Sequence, residues 1–415
     1  MKIVVVGAGI GGLTLALSLR ATGNTDVTVY ERAKEVRGLG VGINLLPHAM
    51  RELTEIGMAD RIAGIGTAPH ALAYYNRHGQ QIWREPRGLA AGYRWPQQSV
   101  HRGELQLALR DAVQERLGDV IRLDNRLTDL DAAGKRPRAR FDSAGQQIDV
   151  EADLIVAAEG IHSAARAMHY PAEGAPPWSG LTLWRGIADA PVFLDGRTMI
   201  MAGDGEQKFV AYPLSAPDAS GRSRINFIAE LRGPGVADAD WNRAVDASPI
   251  AELFRDWRFD WIDVPAIIRS SEELFEYPMV DRDPLPRWTF GRTTLLGDAA
   301  HAMYPNGSNG ASQAIIDART LAFHLATAGS IDEALAAYEL DRRPAMTSLL
   351  ASTRSAGPER VMQIAAERAP RGFVDIHDVI AADELDDIAN GYKRAAGFLP
   401  ELLNARPSLT PGAAS

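Results

Sequence analysis

The stretch that decides the fold is VVVGAGIGGLTLALSL, Val4 to Leu19, in which a run of valines ends in glycines and turns into an apolar pattern of helical period. Ile3 to Val6 reads as a buried strand, Gly11 to Arg20 as a helix and Asp26 to Tyr30 as a second strand. Such a β-α-β unit implies a parallel sheet with a right-handed crossover. Gly7, Gly9 and Gly12 carry the G-x-G-x-x-G spacing at the strand-to-helix junction. The first glycine permits the tight turn, the second admits a pyrophosphate to the backbone, and the third lets helix and strand pack closely. Ile10 and Gly11 lie in the same turn, at the positive end of the helix dipole, where free N–H groups meet negative charge. Glu31, followed by Arg32, stands at the end of the second strand, where a carboxylate accepts hydrogen bonds from a ribose. NAD, NADP and FAD all use such a unit, and this stretch alone does not choose among them.

The whole chain has 415 residues, 46% hydrophobic and 23% charged, enough for two packed domains. Its formal charge of -9 lacks the positive field expected of a nucleic-acid or anionic-membrane partner. Cysteine is absent, which removes disulfides, thiolate nucleophiles, cysteine-ligated clusters and a flavin tethered through sulfur. Glycines interrupt the apolar start, so it reads as a first strand and not as a signal peptide. No apolar run reaches membrane-spanning length. A cytoplasmic protein acting on a small molecule is expected, with no metal site, as a monomer or a homodimer.

Further along, a helix around Pro47 to Ile56 and another through His101 to Leu117 could pack on the parallel sheet. ADLIVAAEG (Ala152 to Gly160) and the strand ending at Gly297 supply two more buried strands, so the nucleotide-binding domain is discontinuous in sequence. GLTLWRGIAD, KFVAYPLS and RINFIAEL are short β-like runs of a different grammar, expected of an antiparallel sheet. The fold class is therefore α/β and α+β. A Rossmann-like domain over residues 1–73, 98–179 and 276–345 joins a β-sheet substrate domain over 74–97 and 180–275. Helices and a loose tail, RPSLTPGAAS, occupy 346–415.

The second decisive stretch is TLLGDAAHAMYPNGSNGASQAI, Thr294 to Ile315. A strand delivers Gly297 and Asp298, and a loop from Pro305 to Gly310 leads into a long helix. Asp298 beside a glycine can reach a sugar-chain hydroxyl, although Asp at such a place also serves as a helix cap. His301 reads as a structural histidine at the loop–helix junction more readily than as a base.

Read together, the early glycine fingerprint, a central acidic-Gly motif and the late Gly-Asp motif resemble the single-component FAD-dependent aromatic hydroxylases, built like para-hydroxybenzoate hydroxylase. GLGVGIN, HRGELQ, WRGIAD and YPMVDRDPLP extend the resemblance to about Pro344, and it is strongest to members that act on phenazine carboxylates. It implies non-covalent FAD: Gly7, Gly9 and Gly12 at the pyrophosphate, Glu31 at the adenosine ribose, Arg102 near the phosphates and Asp298 at the ribityl chain. Pro305, Gly307, Ser308, Asn309 and Gly310 would form the loop beside the flavin ring, and Gly40 and Gly42 a loop near it that lets the ring move.

The central motif departs from the pattern. This chain has Glu159-Gly160 where the family usually has Asp-Gly, a motif credited with supporting both FAD and the nicotinamide donor and closed by Arg166. The resemblance also implies a transiently docked donor, NADH in preference to NADPH, and O2 activated as a flavin C4a-hydroperoxide. The electrophilic oxygen then attacks an electron-rich aromatic acid, with hydroxylation or oxidative decarboxylation. Trp184, Arg185, Tyr212 and Phe227 on the β-rich runs are the candidate substrate contacts. A salicylate- or hydroxypyridine-type hydroxylase is the near alternative. An FAD-dependent reductase or dehydrogenase without oxygen insertion, and a non-catalytic FAD-binding protein, are the alternatives of another class.

Overall fold

The computed structural model describes residues 1–38, 40–233 and 243–411. The strand Ile3–Val6, buried at every position, pairs in parallel with Val27–Tyr30 on one side and Leu154–Ala157 on the other, and the latter pairs with Thr293–Leu295. Ile121–Arg122 and the antiparallel Thr289–Phe290 close the two edges of this six-stranded sheet. A strand buried on both faces is why the sequence reads as continuous valine without alternation. Helix Ile10–Ala21 packs against Arg102–Leu117 and Gly310–Thr327. An antiparallel meander over Asn125–Asp131, Arg138–Ser143 and Gln146–Glu151, unforeseen in the sequence, joins the same core: Tyr30 stacks on its Phe141 with ring centroids 4.3 Å apart.

The second layer is an eight-stranded sheet, antiparallel except where Thr198–Gly203 runs parallel to Ala71–Tyr75. Its strands run past the expected boundaries. Ala71–Tyr75 begins before residue 74, Trp178–Pro191 before 180, and Ser271–Val280 continues beyond 275. The reason is pairing: Trp178 lies opposite Val280 and Trp184 opposite Glu276, so these residues belong to the ladder of the substrate-side sheet.

Two features of the C-terminal part differ from expectation. The boundary expected at 345/346 falls inside an element, because one helix runs from Ile331 to Arg354 through Pro344. Its buried stripe, Leu335, Tyr338, Arg342, Met346, Leu349 and Leu350, continues on both sides of the proline. Burying each of the five apolar side chains other than Arg342 contributes about 1.5–3 kcal/mol, so the stripe outweighs the roughly 3 kcal/mol an interior proline costs.

Nor is RPSLTPGAAS loose over its described part. Arg51 Nη2 donates to the carbonyls of Arg406 and Pro407 at 2.9 and 2.7 Å, Arg319 Nη2 donates to Thr410 Oγ1 at 2.7 Å, and Ser408 Oγ donates to Glu55 at 2.8 Å. At the centre sits Glu52, fully buried, accepting from Arg51, Arg319 and Arg406. Among the described residues no helix is long and apolar enough to cross a membrane.

This cluster is a strong test of the fold because removing one partner of a buried ionic group strands the others. Glu52→Ala, which leaves Arg319 and Arg51 short of a counter-charge, is expected to cost about 3 kcal/mol. Urea unfolding followed by circular dichroism measures it, and a loss below about 0.5 kcal/mol, the level of an ordinary surface change, would refute the assignment.

Candidate active site

The parallel strands end level: Val6 is in register with Tyr30 and Ala157, and Ala157 with Leu295. Gly7, Glu31, Ala158 and Leu296 therefore leave the sheet side by side, at the carboxyl edge where open α/β sheets bind ligands. A cavity of about 800 Å³ opens there, between the parallel sheet and the eight-stranded sheet.

At one end lies the glycine loop. Gly7 has φ +107°, and a Cβ there would stand 2.5 Å from the Ala158 carbonyl oxygen. Gly9 has open space on its Cβ side and lines the cavity with Ile10 and Gly11. Gly12 lies behind them: a Cβ there would run into the Gly7 carbonyl oxygen, so it serves helix–strand packing and not the cavity surface. The loop is fixed through Ala8, whose N–H donates to Glu31 Oε2 at 2.8 Å and whose carbonyl accepts from Gln106 Nε2 at 2.7 Å. Glu31 and Arg32 both line the cavity beside it.

Two helix N-termini face this space, Ile10–Ala21 and Gly310–Thr327. Neither has a side-chain cap or an acidic residue in its first turn. The first N–H groups of a helix have no partner within it, so both ends call for an acceptor from outside. Arg102 and Asp298 look into the cavity between them, and among the described residues no side-chain hydrogen bond engages the Asp298 carboxylate. Burial raises the carboxyl of Asp298, against the pull of His301 and Arg102. Uncapped helix ends, an unclaimed carboxylate and a glycine turn closed to a Cβ at Gly7 and Gly12 but open at Gly9 together fit a nucleotide cofactor with a phosphate-bearing middle and a hydroxylated chain.

The remaining expected residues divide. Gly42, Glu159, Gly160, Pro305, Ser308, Asn309 and Gly310 line the cavity. Gly307 does not: its Cα side packs against the Tyr392 hydroxyl, and that hydroxyl donates to the Asn306 carbonyl at 3.2 Å and accepts from Asn309 Nδ2 at 2.5 Å. Gly307 thus lets a C-terminal helix brace the loop from behind. Glu159 caps the helix Ala164–His169, accepting from Ser163 Oγ at 2.6 Å and from the N–H groups of Ala164 and Ala165 at 3.2 Å, while burial raises its carboxyl. Arg166 donates to the carbonyls of Ala299 and Ala300 at 3.1 and 2.9 Å, tying this motif to the Asp298 turn. His301 is buried, 2.6 Å from Asp317 Oδ2, within a network that also takes in Arg342.

On the opposite wall Arg185 and Tyr212 face the cavity, where the nearby guanidinium opposes the upward push of burial on the Tyr212 hydroxyl. Trp184 and Phe227 do not, which corrects the expectation for both. Side chains alternate across a strand, and Trp184 and Phe227 point away, into a second apolar core with Phe209 and Phe254. The residues that share the wall with Arg185 are Met201, Val210, Ile228 and Glu230, joined by Glu359 from the turn after the long C-terminal helix. None was expected from the sequence. Lys208 and Glu230 did carry a signal, as charged residues inside otherwise apolar β runs.

A β-α-β nucleotide cradle roofed by an antiparallel sheet, with an acidic second loop at the same edge, defines a two-layer FAD-dependent aromatic hydroxylase. The chain belongs to the family described as FAD binding domain, whose model matches residues 1–182 and 262–353, and it is a flavin-dependent monooxygenase. It is 46% identical over 363 residues to the phenazine 1,6-dicarboxylic acid hydroxylase PhzS of Lysobacter antibioticus, covering 85% of this chain and 89% of that one. It is 32% identical over 356 residues to a 3-amino-4-hydroxybenzoate 2-monooxygenase of Streptomyces cremeus, covering 83% and 84%. Klebsiella pneumoniae HpxO, solved in complex with FAD and uric acid, shares the fold at a TM-score of 0.70 and 24% identity, over 97% of this chain and 95% of that one.

Because the Gly12 contact is backbone against backbone, no side-chain rotation relieves it. Gly12→Ala is expected to yield folded protein with less than about one tenth of the wild-type bound flavin, since a misplaced turn forfeits several charge-assisted N–H bonds of roughly 1.5–3 kcal/mol each. The flavin-to-protein absorbance ratio after gel filtration reads this directly.

Proposed function

We propose that this enzyme hydroxylates a fused aromatic acid of the phenazine carboxylate kind, releasing CO2 when the attacked carbon carries the carboxyl, with NADH as donor and O2 as co-substrate. The observation that carries the reading is Arg185: a cation set in an apolar wall of Met201, Val210 and Ile228, lining the same cavity as the glycine turn and Asp298. A flat aromatic suits the apolar wall, and a guanidinium is the side chain best matched to a carboxylate. Similarity to PhzS, whose name states a phenazine dicarboxylate, supports the same class.

FAD, when bound, supplies hydride acceptance and oxygen activation. The glycine turn and the helix end at Ile10 would hold its pyrophosphate, Glu31 its adenosine ribose, Arg102 its phosphate charge and Asp298 its ribityl hydroxyls. Pro305 to Gly310, braced by Tyr392, would lie along the ring and exclude water, which limits the loss of reduced equivalents as H2O2. Arg185 and Tyr212 would orient the acid. With a single dinucleotide fingerprint in the chain, NADH docks transiently at the surface, near Glu159. The enzyme works in the cytoplasm as a monomer or a homodimer.

With isotopically labelled O2, one label atom is expected in the product of phenazine-1-carboxylate, and NADH oxidation should rise when the acid is added. If peroxide alone forms with that acid, salicylate and 6-hydroxynicotinate, the monooxygenase assignment of the substrate fails. Arg185→Leu is expected to raise KM about 10- to 100-fold, the worth of a charged hydrogen bond of roughly 1.5–3 kcal/mol, with a smaller change in kcat.

Stopped-flow reduction with NADH and NADPH compares the donors. Glu159→Asp, which restores the family's usual residue, should lower the donor KM or speed reduction; no change in either would make the longer side chain neutral there.

A further inference from the structure

The cavity wall is ordered by the ladder. One cross-strand row holds Arg185, Ile228, Val210 and Met201, and the next holds Leu183, Glu230 and Lys208, two residues or about 6.8 Å along the strands. Lys208 Nζ stands 2.8 Å from Glu230 Oε2 and also pairs with Glu359. All three side chains are buried, Glu230 at 3% exposure, yet both glutamates line the cavity.

The charges here balance only as a set. Lys208, Glu359 and Arg185 face Glu230. Behind Glu359 lie the hydroxyls of Tyr74 and Tyr392, with Arg87 beside both tyrosines. Arg185 in turn is near Arg102, Tyr212 and Tyr277, and Arg102 is answered by Asp298. Two cations, Lys208 and Arg185, thus meet two carboxylates, Glu230 and Glu359. Arg185 has capacity to spare: its Nη2 donates to the Gly42 carbonyl at 3.1 Å, and its Nε is buried without a partner.

We infer that Glu230 takes up one proton from solvent when an aromatic carboxylate engages Arg185. The inference rests on the carboxylate reading proposed above. A ligand carboxylate at Arg185 places three negative charges around two positive ones in a poorly hydrated space. Neutrality returns most cheaply on the carboxyl already disfavoured as an anion. Burial raises Glu230, and Arg185 is among the groups that hold it ionised, so a ligand that occupies Arg185 removes part of that support.

The balance is ligand carboxylate plus ionised Glu230 plus one proton, giving the bound carboxylate and a neutral Glu230 carboxyl. Lys208 and Glu359 act as positioning residues. By linkage, binding is independent of pH below the free-state titration of Glu230 and weakens above it, up to about tenfold per pH unit, until the bound-state titration is passed.

The test uses the oxidised FAD-loaded enzyme without donor. Phenazine-1-carboxylate is titrated in weak buffer across about pH 5 to 8.5, with binding read from the flavin absorbance and protons from an indicator dye. Uptake of more than about half a proton per ligand at some pH is expected for the acid, and none for phenazine-1-carboxamide, which brings no charge.

Glu230→Gln should abolish the uptake and flatten the pH dependence of Kd; the acid-against-amide comparison decides the matter in wild-type enzyme if that variant fails to fold. Equal uptake for acid and amide, or uptake that survives in Glu230→Gln, overturns the inference while leaving the carboxylate reading intact. A flavin spectrum that the acid does not perturb overturns the carboxylate reading, and this inference with it.

Discussion

The structure depends on one constraint, the level register of parallel strands drawn from three distant parts of the chain. Backbone hydrogen bonds set Val6 beside Tyr30 and Ala157, and Ala157 beside Leu295. Because the pairing is parallel, all these strands end on the same side, and the residues that follow them, Gly7, Glu31, Glu159 and Asp298, converge on one edge. A slip of a single residue in Leu154–Ala157 would turn its side chains to the opposite face and carry Glu159 away from the crevice. The Arg166 bonds to Ala299 and Ala300 then lock the two late loops together, so the central motif and the Asp298 turn cannot shift independently.

The same alternation governs the second sheet with opposite consequences for neighbours in sequence. Trp184 and Arg185 are adjacent, yet one fills an apolar core and hydrogen-bonds Glu276 at 2.9 Å, while the other faces the cavity. Size and aromaticity favour Trp184 and Phe227 as substrate contacts; the ladder instead turns Met201, Val210 and Ile228 toward the cavity. Their chemistry is bland, and blandness is what a face laid against a flat ring requires. Polar groups flank that wall, Arg185 and Tyr212 toward one side and the Glu230–Lys208–Glu359 cluster toward the other.

How legible each part was in the sequence follows from the range of the interactions that fix it. The glycine turn, Glu31 and Asp298 were readable because strand, turn and helix signals are local, and their chemistry lies within a few residues of a strand end. The face of the substrate-side sheet was not, since it is set by pairing between strands as far apart as Leu183 and Tyr277. Glu359 and Tyr392 were beyond reach for the same reason: each acts on the site from a C-terminal element with no motif of its own. Nor could the tail be read, because Arg51, Glu52, Glu55 and Arg319 hold it from segments hundreds of positions earlier or nearly a hundred earlier.

The glycines of GLGVGIN illustrate how the two layers share a single requirement. Gly42 accepts a hydrogen bond from Arg185 through its carbonyl and donates one through its N–H to Asn226 Oδ1 at 2.6 Å, so both its backbone groups are spent on the opposite sheet. A Cβ on Gly42 would stand 2.7 Å from Asn226, so glycine is needed for close approach. The loop nearest the expected flavin position is thus held by the substrate wall, through the guanidinium that is also the best anchor for an acidic ligand. An acid that binds the free N–H groups of Arg185 holds the same guanidinium that donates to the Gly42 carbonyl, which couples the fit of an acidic ligand to the position of this loop.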